Sequence, residues 1–337
     1  MKNSLIFKLK GVVTLPISAT GTSHAKIILI GEHSVVYHQP AIALPLPAVK
    51  TTVTITERSG NQQWLISRYF SGNRSDAPIQ LNGINHLLDV LLTRFNHSQA
   101  GFTLEIRSQL PAERGMGSSA ATAVAIIRAL YDYFKLPLTH EQLLLDADIS
   151  EHIIHGNPSG LDVATASASA PVWFVTGDTP TSLPFHLDGY MIIADSGIYG
   201  QTGSAVANVA KTLSHHPRRG KHLIEELGEL TKDAKDALGH NAIQKLGTIL
   251  DAAQVQLKAL GVSHPTLDKL IRIAKANGAL GAKLTGGGMG GCMICLVENV
   301  NVAKRVKQAL IDAGAAATWV QPLLSEELAD ETDNVTR

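Results

Sequence analysis

Cysteine is almost missing from this chain. Cys292 and Cys295 are the only two in 337 residues, too few for a disulfide framework. Their C-x-x-C spacing is one that redox sites and half zinc sites also use. Yet "GGCMICLV" is an apolar run after a glycine cluster, with no second ligand pair nearby, and it reads as a buried strand. Such a chain suits a reducing, cytoplasmic compartment. Net charge is missing too: 29 Lys and Arg balance 29 Asp and Glu, which argues against a dedicated nucleic-acid binder, whose surface is net basic. A small, locally basic pocket for a nucleotide or another anionic metabolite stays open. The chain has no run of about 20 uninterrupted apolar residues, the length a membrane span needs. At the amino terminus Lys8 and Lys10 break the apolar stretch and no small-residue cleavage site follows. Residues 1–20 therefore read as an upstream extension or a loose first strand rather than a signal peptide.

What is present is foldable: 45% of the residues are hydrophobic and 17% charged. A chain of this length exceeds what one core usually organises, so two domains are expected. Ile27 to Ile30 read as a buried strand entered at Lys26, and the turn "GEH" follows. "VKTTVTITER" alternates as a half-exposed antiparallel strand does. Residues 60–77 are polar and read as turns, then Ile84, Leu87, Leu88, Leu91 and Leu92 recur at helical spacing. "GFTLEIRSQLP" reads as a strand, and "PAERGMGSSAATAVAIIRALYDYF" as a loop and a long helix with Ser118 as its N-cap. "THEQLLLDADISEHIIHG" is a second helix, capped by Thr139. Asp162 falls in the loop beyond it, before a strand at Val172 to Val175.

Gly, Pro, Ser and Thr cluster near residues 177–187, marking a boundary between residues 1–184 and 185–325, with an acidic tail over 326–337. The second part reads as the strand "YMIIAD", helices from Ser204 to Gly261 and again from Leu267, then strand, glycine loop, strand, helix and a last strand at Ala316 to Val320. That order predicts an α+β unit of the split βαβ type.

Three places could carry chemistry. In "PAERGMGSSAA", Gly115 and Gly117 permit positive φ and a close ligand approach. The amides opening the next helix favour a phosphate there. The lysine of the ordinary P-loop is absent, and a glycine turn with a good cap would look the same in isolation. In "EHIIHGNPSGLD", Glu151 and Asp162 can be folded toward each other, which suits one carboxylate on Mg²⁺ and the other facing a hydroxyl. His152 and His155 lack the H-E-x-x-H order of a zinc helix and read as structural. Lys26 with Glu32 and His33 marks a polar end of the sheet, and "AKLTGGGMGG" is a loop that could pass close to a substrate.

Together "HAKIILIGEHSVVY", "PAERGMGSSAA" and "AKLTGGGMGG", in this order, resemble the three motifs of the GHMP small-molecule kinases (galactokinase, homoserine kinase, mevalonate kinase and phosphomevalonate kinase). "GEHSVVYHQPAIALPL" and "EHIIHGNPSGLD" are similar to the mevalonate kinase forms of these stretches. Two departures stand out: "SHAK" lacks the proline and glycine that many relatives place before the lysine, and Val163 stands where Asn often follows the aspartate.

The resemblance implies an S5-like first domain, a ferredoxin-like second domain and an active site between them. It implies transfer of the ATP γ-phosphate to the 5-hydroxyl of (R)-mevalonate in the mevalonate pathway of isoprenoid biosynthesis. Phosphomevalonate or homoserine kinase activity is the alternative. Pro111, Glu113, Arg114, Gly115, Met116, Gly117, Ser118, Ser119 and Ala120 would wrap the triphosphate, with Thr202 near the phosphates. Ser119 and Glu151 would hold Mg²⁺. Asp162 and Lys26 would act at the transferring group, and Glu32, His33 and Gly287 would lie toward mevalonate. A homodimer and feedback inhibition by an isoprenoid-pathway diphosphate are implied by the same resemblance.

Overall fold

The computed structural model describes residues 17–110, 114–155 and 160–323. Pro111, Glu113, residues 156–159, the side chain of His155 and the acidic tail lie outside the described residues.

The first strand, β1 (Ser18–Ile30), is longer than its apolar core predicts. It pairs antiparallel with β2 (Ala41–Glu57) from Ser18↔Thr56 to Ile30↔Ile42. Lys26 therefore sits inside the strand rather than at its entrance, and Ser18 to Thr20 are already in the sheet. A 3-10 turn, Ser34–Tyr37, joins the two strands.

Residues 60–77 are not all turn: β3 (Gln63–Ile66) and β4 (Ser71–Asn73) form a hairpin. Buried Leu65 and parallel pairing with a neighbour override the polar composition here. That neighbour is β5 (Phe102–Ser108), reached through helix α1 (Asn82–Arg94). Next come α2 (Ser118–Tyr133), which covers β1 and β2, and α3 (His140–His155), which packs on α1 and α2. The Thr139 hydroxyl accepts from the Gln142 amide at 3.2 Å, as its capping role requires.

Asp162 is not in a loop. It occupies the first turn of a short helix, α4 (Leu161–Ser167), entered through Gly160 and closed by Thr165 donating to the Leu161 carbonyl at 2.8 Å. Strands β6 (Val172–Phe174) and β7 (Thr181–Ser182) finish a seven-stranded sheet of order β4-β3-β5-β2-β6-β7, with β1 on β2.

The second half begins with β8 (Tyr190–Asp195). Helices α5 (Thr202–His215), α6 (Pro217–Gly239), α7 (Ile243–Ala259) and α8 (Pro265–Ala276) follow. Then come β9 (Gly281–Thr285), β10 (Cys292–Val297), α9 (Val300–Asp312) and β11 (Ala317–Pro322). The sheet order β11-β8-β10-β9, antiparallel throughout, is the split βαβ arrangement of a ferredoxin-like unit. Cys292 and Cys295 are buried in β10, and burial pushes the Cys295 thiol up to about 12, so both stay protonated strand residues. One hydrophobic core runs through both halves, and their glycine loops meet where Gly115 faces Gly286.

Candidate active site

The amino end of α2 is shaped by the side chain of Lys26. Gly117, not Ser118, occupies the N-cap position, at φ 71°, with no side-chain cap. A β-carbon there would stand 2.7 Å from Lys26 Cγ, so glycine is needed both for its left-handed backbone and to let the lysine stem pass. Ser118 becomes the first helical residue instead.

The Lys26 amide donates to the Met116 carbonyl at 3.0 Å, tying β1 to this loop. Beyond the loop, Lys26 Nζ reaches Asp162 Oδ1 at 2.7 Å. The two differ in exposure: Lys26 is 3% exposed and Asp162 35%. A buried cation thus supports a carboxylate that is partly open to solvent.

Ser119 stands in the first turn of α2, and Glu151, 2% exposed, in the last turns of α3, the helix packed beside it. A carboxylate buried to this degree calls for donors or positive charge around it. No cluster of three His, Cys, Asp or Glu that could hold a metal occurs among the described residues. His152 is exposed and paired with Asp148 at 3.0 Å.

The glycine loop between β9 and β10 closes the other wall. Gly287 abuts the first residue of α5: a β-carbon there would lie 2.3 Å from Thr202 Oγ1. The two residues that the motifs place near the phosphates and the substrate are therefore in contact. The Gly287 carbonyl lies 3.0 Å from His33 Nε2. Burial pushes the His33 imidazole down to about 4, so the ring is neutral at physiological pH.

Other expected contributors behave differently. The side chains of Met116 and Ala120 are buried in the core, so what they offer the cleft is backbone. Gly115 faces Thr285 and Gly286 of the second half. Arg114 is paired with the second half: its Nε is 3.2 Å from Asp195 Oδ2 and its guanidinium lies 4.3 Å from the Tyr199 ring centroid. Glu32 is enclosed, and its Oε1 pairs with Nζ of Lys283, which is itself completely buried in β9. Burial pushes the Glu32 carboxyl up and the Lys283 ammonium down, each shift opposed by the partner's charge. Lys283 was not singled out by the motif reading. The available signal was a lone lysine inside the apolar strand "GAKLT", three residues before the glycines.

The model of the GHMP kinases N terminal domain matches residues 82–169, and that of the GHMP kinases C terminal matches residues 234–316. A mevalonate kinase of Pyrococcus abyssi is 31% identical over 317 residues, covering 88% of this chain and 94% of its own. The structure of mevalonate kinase from methicillin-resistant Staphylococcus aureus is 37% identical, with a TM-score of 0.69, covering 91% of this chain and 99% of its own. That of L. major mevalonate kinase in complex with R-mevalonate is 25% identical, with a TM-score of 0.81, covering 93% and 99% respectively.

Proposed function

This chain belongs to the GHMP kinases and, within them, to the mevalonate kinases, and from that premise we propose how it moves the γ-phosphate of ATP onto the 5-hydroxyl of (R)-mevalonate. The observation that carries the proposal is the Lys26–Asp162 pair at 2.7 Å, buried at the lysine and open at the aspartate.

Phosphoryl transfer asks a protein mainly for alignment and charge neutralisation. The loop through Gly115 and Gly117 and the amide end of α2 receive the triphosphate, where the helix dipole favours negative charge. Thr202 lines the phosphate side of the cleft from α5. Asp162 accepts a hydrogen bond from the 5-hydroxyl, orients it toward the γ-phosphate and takes its proton as the new bond forms. Lys26 holds the Asp162 carboxylate in place at 2.7 Å and stabilises charge on the moving group. His33 and Gly287 bound the mevalonate side.

Ser119 and Glu151 supply a hydroxyl and a carboxylate, the hard oxygens that Mg²⁺ takes; when bound, the ion offsets negative charge on the phosphates. The same reading carries a cytoplasmic homodimer, and feedback by an isoprenoid-pathway diphosphate that competes with ATP for the α2 terminus. Among the described residues no helix is long and apolar enough to cross a membrane. Phosphorylation of mevalonate, phosphomevalonate and homoserine by one purified sample tests the assignment. Mevalonate is expected to be used far better than the other two, and preference for either of them would overturn it.

A further inference from the structure

Lys283 calls for an explanation that packing does not supply. A lysine buried in an apolar strand loses its hydration, and a hydrophobic residue of similar volume would serve stability as well or better. Its Nζ is committed to two acceptors, Glu32 Oε1 and the Leu284 carbonyl at 2.6 Å. Glu32 Oε2 is buried without a hydrogen-bond partner, so the lysine carries the burden of holding this carboxylate.

Lys283 also belongs to a series. Strand alternation puts residues 283 and 285 on one face, with 287 just beyond in the loop, and all three meet the first motif. Lys283 takes Glu32. Thr285 Oγ1 donates to the Ile28 carbonyl at 2.8 Å and accepts from the Ile28 amide at 3.2 Å. The Gly287 carbonyl meets His33 Nε2 at 3.0 Å. From the other side β9 is held by α7, whose Asp251 and Gln254 side chains accept the Ala282 and Leu284 amides at 2.9 Å each.

The turn so gripped is strained. His33 has φ 65° and ψ −44°, a region that residues with a β-carbon seldom occupy, and such a conformation persists only where its surroundings over-determine it. A carbonyl oxygen only accepts, so a neutral His33 must carry its proton on Nε2, which leaves Nδ1 as the ring's acceptor.

We propose that Lys283 is a positioning residue for mevalonate: through Glu32 it seats the strained turn against the glycine loop, so that His33 donates from Nε2 to Gly287 and keeps Nδ1 free to accept a substrate hydroxyl. The proposal rests on the mevalonate kinase reading for its substrate, and on β1–β9 geometry for the rest.

Each single substitution would strand one buried polar partner, so the test uses the pair Glu32→Gln with Lys283→Met, which removes both charges together. Stability by urea titration, steady-state kinetics and ¹⁵N spectra of ring-labelled histidine are compared with the unsubstituted enzyme at pH 7.5. The His33 signal is assigned by its loss in His33→Asn. The unsubstituted enzyme is expected to show the Nε2–H tautomer alone. The double variant is expected to fold, to mix its tautomers, and to raise KM for mevalonate about tenfold or more, the scale of a misplaced contact. KM for ATP should stay within about twofold, since the pair acts on the other substrate. A folded double variant with unchanged KM for mevalonate, or an equal rise in both KM values, would overturn the proposal. So would an Nδ1–H or doubly protonated His33 in the unsubstituted enzyme, a result that stands even if the double variant does not fold. No turnover of mevalonate by the unsubstituted enzyme would defeat the substrate reading instead, and the tautomer result would still judge the geometry.

Discussion

Lys26 sets its ammonium 2.7 Å from Asp162 although the two residues come from different layers, a strand of the main sheet and a short helix over it. The lysine stem crosses directly under Gly117 to get there. Cation, carboxylate and the loop through Met116 and Gly117 therefore form one mechanical unit.

Removing either charge of this unit should be costly for turnover and cheap for the fold. Asp162→Asn keeps size and one acceptor, and is expected to lower phosphoryl transfer by roughly 10²-fold or more while nucleotide binding persists. Lys26→Met should also suppress transfer. The double variant should be much less impaired than the product of the single effects. Single-turnover phosphorylation at saturating MgATP, beside a nucleotide-binding assay, decides; near-normal transfer by folded Asp162→Asn would defeat the assignment.

Gly117→Ala probes the crossing itself. The new methyl would meet the Lys26 stem at 2.7 Å in a left-handed backbone, so the lysine or the loop must shift. Because misplacement of about 1 Å can cost roughly 10²-fold in rate, kcat should fall by at least about tenfold with circular dichroism unchanged. Wild-type kcat would mean that the stem has room the geometry denies it.

Glu151→Gln keeps the shape of a buried side chain and removes its charge. Activity titrated with Mg²⁺ should require a higher metal concentration, with the urea midpoint nearly unchanged. An unaltered metal dependence would take Glu151 out of the site.

His33 ties stability to pH. Its ordinary value of 6.5 is lowered to about 4 by burial. The unfolded chain therefore takes up a proton near pH 6.5 that the folded chain refuses until about pH 4. A depressed folded value means stability that is fully present above 6.5 and is lost as pH falls toward 4, amounting to about 3 kcal/mol. Burial pushes His24 the same way, whereas Glu32, held up by burial, opposes it. Urea titrations between pH 7.5 and 5, compared with His33→Asn, isolate the His33 share. Parallel curves for the two proteins would contradict it.

Much of this architecture was legible because single residues carried strong local preferences. The apolar runs of β8 and β10, the alternation of "TTVTIT" and the Thr139 cap each had one reading, and the structure keeps them. What escaped the sequence depends on distant partners. The β3–β4 hairpin exists because β5 offers Leu65 a place in the core. The serine after Gly117 looked like a cap because nothing local reveals that Lys26 will pass beneath the glycine. Asp162 looked like a loop residue because glycines and a proline precede it, yet the small residues that follow wind into α4. Of the candidate residues read from motifs, Lys26 meets Asp162 and His33 meets Gly287. Arg114 and Lys283 have pairings that no motif spacing encodes, since Asp195 and Glu32 lie far from them along the chain.

The grip of α7 on β9 has a consequence for how copies of this chain can meet. A terminal strand ordinarily presents a ladder of unpaired amides on which a second sheet can grow. Here the Ala282 and Leu284 amides are already taken by Asp251 and Gln254, so that margin is sealed from within. Any partner that extends the four-stranded sheet by strand addition must do so along β11, at the opposite margin.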